Sequence, residues 1–170
     1  QRSLVAPERR VIFADASAPW IMAPARVRVR VEQWGRVEVP AHRFRTRFQV
    51  GAPPATCVLD LRALGAARAF LNGQSVHLKS PPATVGRSFA RAEVAGLLQS
   101  GENRLEVEIR NRTGPALLSL RLEGGDLRLR SDESWSVSVD AGPAQTAVLA
   151  SDVRPHEEAA SGERPIAALM

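Results

Sequence analysis

The strongest constraint on this chain is a period of two. In Val27-Arg28-Val29-Arg30-Val31, in Phe44-Arg45-Thr46-Arg47-Phe48 and in Leu105-Glu106-Val107-Glu108-Ile109, small or apolar residues alternate with charged ones. Alternation sends successive side chains to opposite faces of a strand, so one face can pack on a core while the other meets solvent. The pattern returns in Arg36-Val37-Glu38-Val39, over residues 116–122 with Leu118, Leu120 and Leu122 in phase, and in Leu127-Arg128-Leu129-Arg130 and Ser136-Val137-Ser138-Val139. Turn formers separate these runs, among them Gly51-Ala52-Pro53-Pro54 and Gly124-Gly125-Asp126. Asn72-Gly73 lies between Arg68-Ala69-Phe70-Leu71 and Ser75-Val76-His77-Leu78. Both turn residues tolerate positive φ, so a type I′ hairpin is expected there.

Residues 56–61 form a more apolar run that reads as a core strand, and residues 146–149 read as the last strand. Residues 94–98 read as one short helical turn that closes at Ser100-Gly101. Many short strands with turn signals between them predict an all-β fold, an antiparallel β-sandwich. No strand–helix–strand repeat occurs, which argues against a parallel α/β sheet.

A length of 170 residues suits one domain. The strand pattern assigns residues 19–152 to the sandwich module, residues 1–18 to an N-terminal extension and residues 153–170 to a C-terminal linker or tail. A domain of this size buries roughly 70% of its unfolded surface and needs no covalent staple. The single cysteine, Cys57, cannot form an internal bridge, and in its apolar run it reads as a buried, inert thiol. No apolar stretch approaches the roughly 18 residues of a membrane span. A start at Gln1 reads as a processed or excised chain, so a signal or anchor could have preceded it.

The formal net charge is +5, and Lys79 is the only lysine among 23 basic residues. Arginine suits carboxylate and phosphate recognition. Its alternation with apolar residues, however, is that of a solvated strand face, which gives no reason to expect a specific nucleic-acid site.

Six motifs occur in a fixed order: Pro19-Trp20-Ile21, the strand from Phe44 to Phe48, Phe70-Leu71-Asn72-Gly73, the segment 94–98, Gly101-Glu102-Asn103-Arg104-Leu105, and Ser131-Asp132-Glu133-Ser134-Trp135. The set resembles the galactose-binding-like jelly rolls attached to large glycoside hydrolases. It is most similar to the N-terminal modules of bacterial α-L-rhamnosidases and the sugar-binding domains of β-galactosidase-type enzymes. The resemblance covers about residues 19–135, and the added Arg-Val hairpin departs from it. It implies a jelly-roll sandwich, a non-catalytic carbohydrate-binding or accessory role, carbohydrate and neighbouring domains of a parent chain as partners, and a periplasmic, extracellular or otherwise extracytoplasmic setting. It implies no cofactor, although structural calcium is compatible with the fold class. The alternative role is a structural or protein-interaction sandwich without sugar binding.

The motif residues have scaffold tasks of their own. Asn103 can bond its local backbone before the next strand, Leu97-Leu98 can plug one end of the sandwich, and Asp132 with Ser134 can hold a turn beneath Trp135. None of the acidic pairs has the apolar surround of a tuned general acid. Glu106 and Glu108 are expected to face solvent, and Asp132-Glu133 and Glu157-Glu158 lie in a turn and in the tail. His42, His77 and His156 lack metal-ligand spacing, and His42 and His77 read as surface residues. No catalytic or metal-binding residue is therefore assigned. There is no tyrosine and there are only three tryptophans. Trp20 and Trp135 belong to the fold motifs. Trp34, at a hairpin tip with Arg30 and Arg36 nearby, is the ligand-binding candidate, because an exposed indole can stack on a sugar ring or a partner.

Overall fold

The computed structural model describes residues 18–24, 39–79, 87–112 and 114–150. The hairpin expected around Trp34, most of the N-terminal extension and the C-terminal tail lie outside the described residues.

Twelve strands are described: β1 (Ile21–Met22), β2 (Ala41–Val50), β3 (Val58–Leu64), β4 (Ala66–Leu71), β5 (Gln74–Ser75), β6 (Arg87–Glu93), β7 (Gly101–Arg110), β8 (Leu117–Gly124), β9 (Leu127–Arg130), β10 (Ser136–Val139), β11 (Gln145–Thr146) and β12 (Val148–Leu149). They form two antiparallel sheets. The first runs β12-β1-β8-β3-β6, and the second runs β11-β10-β2-β7-β4-β5. Strand β9 pairs with residues 121–124 of β8, while β1 pairs at Leu118. Both therefore occupy the edge of β8 opposite β3, end to end. From β2 to β8 the chain changes sheet at every connection except the β4–β5 hairpin.

The alternation builds the core as expected. Phe44 of β2, Leu59 and Leu61 of β3, Leu71 of β4, Leu105, Val107 and Ile109 of β7, and Leu118, Leu120 and Leu122 of β8 are all buried. Trp135 and Val137 join them. Each large apolar side chain taken out of water contributes about 1.5–3 kcal/mol. Val94 and Leu98 are buried around the 3-10 turn Ala95–Leu97, so this segment plugs one end of the sandwich. Cys57 is fully buried, and burial, with the charge of Glu93, pushes its thiol up to about 11, which keeps it protonated and inert.

Several elements depart from the sequence expectations. No strand was expected at β6, where the buried Ala90 and Ala92 give little hydrophobic contrast. The strand expected after Asn72-Gly73 lasts two residues. The chain then crosses to the other sheet, where Lys79 bridges to Arg91. The expected last strand divides at buried Ala147, with Gln145–Thr146 in one sheet and Val148–Leu149 in the other.

His42 corrects the surface reading outright: it is 4% exposed. It follows Pro40 at the start of β2, in phase with Phe44, so the pleat carries its ring inward. Burial pushes the imidazole below its ordinary value, and the Pro40 carbonyl and the Asp140 carboxylate only partly oppose this. An unfolded imidazole titrates near 6.5. As pH falls, the unfolded state therefore takes up the proton first, so this contribution to stability is complete above about pH 6.5 and is lost as pH falls through the folded value. His42→Phe should remove that part of the acid sensitivity. Urea melts at pH 7.5 and 5.5 check it: equal losses in both proteins across that interval would refute the assignment.

Candidate functional site

The outward face of the second sheet gathers a dense set of polar side chains. Pairing aligns Ser136 of β10, Arg45 of β2, Glu106 of β7 and Phe70 of β4 in one row across the strands. A second row aligns Ser138, Arg43, Glu108 and Arg68. Ion pairs run along each row, from β2 to β7, and lengthwise on β7. Glu106 accepts from Arg45 Nε at 2.7 Å and lies 3.3 Å from Arg104, and Glu108 lies 3.2 Å from Arg43 and 3.1 Å from Arg110. Glu106 and Glu108 thus point outward as the alternation required, but neither is freely solvated. Burial alone would raise the Glu108 carboxyl; hydrogen bonds from Arg110 and Arg43 and their charges outweigh it and hold the group below the usual carboxylate range. Partly exposed pairs contribute about 0–1 kcal/mol each, so their main effect is to fix where the guanidiniums point.

One contact runs against this pattern. Arg47 of β2 stands directly opposite Arg104 of β7. Like charges directly opposite each other in a ladder are destabilising. Arg47 has Glu102 at 3.5 Å, and Arg104 leans toward Glu106.

Two open clefts flank Arg104. The first, of about 280 Å³, is lined by Phe70, Gly73, Arg104 and Glu106. Phe70 is half-buried on the outer face, since Ala69 and Leu71 take the inner one. The second, of about 430 Å³, is lined by Arg45, Thr46, Arg47, Arg104, Ser134, Ser136 and Ala144.

The fold motifs position both clefts. Asn72, at φ 53°, and Gly73, at φ 80°, make the left-handed pair expected of the hairpin turn. The Asn72 backbone N–H donates to Arg104 O at 2.8 Å, and its side-chain oxygen accepts from Arg104 N at 2.9 Å, which fixes the Arg104 backbone beside the turn. On the other side, Asp132 Oδ1 accepts from both the N–H and the hydroxyl of Ser134, as read from the sequence. Trp135 is fully buried, and its indole N–H donates to Arg130 O at 3.1 Å. This anchored ring holds Ser134 and Ser136, on either side of it, at the second cleft.

Trp34, Arg30 and Arg36, the candidates from sequence, lie outside the described residues, as does His156. His77 is exposed, as expected. Among the described residues no three His, Cys, Asp or Glu side chains gather in a group that could hold a metal ion. Sequence reading passed over Phe70, although its phase against Ala69 and Leu71 already pointed it outward. It also missed the Arg47–Arg104 opposition, which depends on the register between strands more than fifty residues apart.

No family model matches the chain, and no curated protein matches it. Solved structures do. An α-L-rhamnosidase from Dictyoglumus thermophilum is similar with a TM-score of 0.57 and 18% identity over 74% of this chain and 17% of that one. The native α-L-rhamnosidase from Aspergillus terreus is similar with a TM-score of 0.55 and 22% identity over 72% of this chain and 16% of that one. The Pleurotus ostreatus lectin, in its apo form, is similar with a TM-score of 0.53 and 17% identity over 79% of this chain and 42% of that one. The chain therefore spans about a sixth of these rhamnosidase chains and less than half of the lectin chain. At these identities the likeness is one of fold, and it agrees with the galactose-binding-like sandwich that the motifs resembled.

Proposed function

We propose that this chain is a non-catalytic carbohydrate-binding or accessory module of a larger extracytoplasmic glycoside hydrolase or glycan-handling protein. The observation that carries the reading is the first cleft, where the Phe70 ring lies beside the Arg104–Glu106 pair. Ligand sites combine apolar and aromatic walls with a few placed polar groups. Phe70 offers a flat apolar face to the C–H side of a pyranose, while Arg104 and Glu106 offer a donor and an acceptor to its hydroxyls.

The fold supports the same reading, because it is shared with a lectin and with a small part of several rhamnosidases. Fold alone does not specify function, so the cleft carries more weight. The carboxylates on this face favour binding over bond cleavage. Glu108 is held ionised between two arginines, the reverse of a general acid with a raised pKa. Neighbouring domains of a parent chain are proposed partners. Scarcity of aromatics, with no tyrosine, favours the second reading, a structural or protein-interaction sandwich.

A glycan array followed by calorimetric titration tests the proposal. Phe70→Ala should weaken the best glycan about 10-fold, a loss of about 1.4 kcal/mol. Trp34→Ala tests the loop-tip candidate flanked by Arg30 and Arg36. If only that variant loses affinity, the site belongs at the loop. If no glycan binds the parent protein, the interaction-domain reading replaces this one.

A further inference from the structure

We infer that the second cleft selects an acidic glycan, holding a uronate carboxylate between Arg47 and Arg104 while a neighbouring sugar ring rests on Phe70. The inference rests on the carbohydrate-binding reading and adds to it a ligand class.

Three guanidiniums, those of Arg45, Arg47 and Arg104, line this cleft, and among the described residues no carboxylate lines it. An arginine carries five N–H donors in a planar fork. The contacts of these three use only a few: Arg45 donates to Glu106 and Ser138, Arg47 meets Glu102 at 3.5 Å, and Arg104 meets Glu106. Glu106 braces Arg45 and Arg104 from one side, so both forks are oriented before a ligand arrives. Such preorganisation favours a planar anion that can be gripped bidentately, and a carboxylate fits that description.

The opposition of Arg47 and Arg104 is a second, independent observation. It puts two like charges face to face across a ladder, where an uncharged or acidic partner would be more stable. An anion seated between them would convert that repulsion into two attractions. The cost in the free protein then has a use in the bound one.

Dimensions decide between one sugar and several. Ser136, Arg45, Glu106 and Phe70 follow one another on four adjacent strands. With strands about 4.8 Å apart, the row is about 14 Å long. That is the span of a short oligosaccharide lying across the strands. Ser134 and Ser136 supply hydroxyls at one end, and Phe70 supplies the apolar platform at the other.

The experiment compares a tri-galacturonate with a neutral galacto-trisaccharide by calorimetry in 150 mM salt, using the parent protein and Arg47→Gln, Arg104→Gln and the double variant. The expected result is a tri-galacturonate preference of 10-fold or more that disappears in the double variant. Thermal melts without ligand should show Arg47→Gln as stable as the parent or more so, because the repulsion is relieved. Equal binding of both sugars, or uronate binding that survives the double variant, overturns the inference and leaves the carbohydrate reading intact. Tighter binding of a heparin fragment, scaling only with its charge, overturns it in favour of unspecific electrostatics. Absence of binding to any glycan removes both.

Discussion

Replacing Asn103 with alanine should lower the stability of the folded chain by roughly 3 kcal/mol. Asn103 is fully buried, yet its amide satisfies partners on three sides. Its nitrogen donates to Gln99 O at 2.8 Å and to Gly101 O at 3.1 Å. Its oxygen accepts from Gln99 N at 3.0 Å and from Asn72 Nδ2 at 2.8 Å. Asn72 Nδ2 also donates to Leu97 O at 2.9 Å. The network thus ties together the β4–β5 hairpin, the 3-10 turn and the entry to β7. Alanine leaves several of these groups without a partner, and an unpaired buried polar group costs about 1–3 kcal/mol. Exposed Gln99 can recover some bonds from water, which keeps the total near the lower sum.

A double-mutant cycle in urea, read by tryptophan emission, checks this. The second substitution should be Asn72→Gly, which keeps the left-handed backbone at φ 53° and removes only the amide. The two costs should fall short of additive, because they share the Asn72–Asn103 bond. A cost below 1 kcal/mol for Asn103→Ala, or strict additivity, would falsify this account of the network. A loss of the network would also reach the candidate site, since Asn72 fixes the Arg104 backbone.

What the sequence made legible follows from how local each signal is. Alternation is a nearest-neighbour property, and it gave the faces of β2, β7 and β8 correctly. Asn72-Gly73 is equally local, and its two positive φ values are the expected ones. Trp135 and Asn103 were legible as scaffold because they have partners within a few residues, at Arg130, Gln99 and Gly101, whereas the bond from Asn72 to Asn103 spans 31 residues and was not. By contrast, burial of His42 depends on the neighbours its strand acquires, since β2 is paired on both sides, by β10 and β7. Strand β6 was hidden because Ala90 and Ala92 carry too little hydrophobic contrast. The candidate site was legible only in part. Each strand disclosed its arginines and glutamates, but which stood opposite which is a matter of register. Arg45 meeting Glu106 and Arg47 meeting Arg104 became visible only once β2 and β7 were aligned.

Gly65→Ala should lower the stability of the fold by about 4 kcal/mol or more, a large part of the 5–15 kcal/mol that holds a typical domain together. Gly65 is the only residue between β3 and β4, so the chain leaves one sheet and enters the other within a single corner. That corner has φ +120°, and a Cβ built there would lie 2.6 Å from Arg110 O and 2.9 Å from Asn111 Cβ. Two costs therefore add. Backbone strain at such an angle is worth about 1–3 kcal/mol for a residue with a side chain. The clash is with backbone at the end of β7, where Arg110 pairs with both Ala41 and Ala66, so relief means separating three strands. Two control glycines separate the terms. Gly73, at φ +80° with nothing within 4 Å of a Cβ, should cost about 1 kcal/mol on changing to alanine, from strain alone. Gly51, equally open and without the unusual angle, should change by less than about 0.5 kcal/mol. Denaturant melts of the three variants should rank Gly65 far above Gly73 and Gly73 above Gly51. If Gly65→Ala were no worse than Gly73→Ala, the corner could relax without parting the strands, and the close approach of Gly65 to Arg110 would not be a fixed feature of the fold.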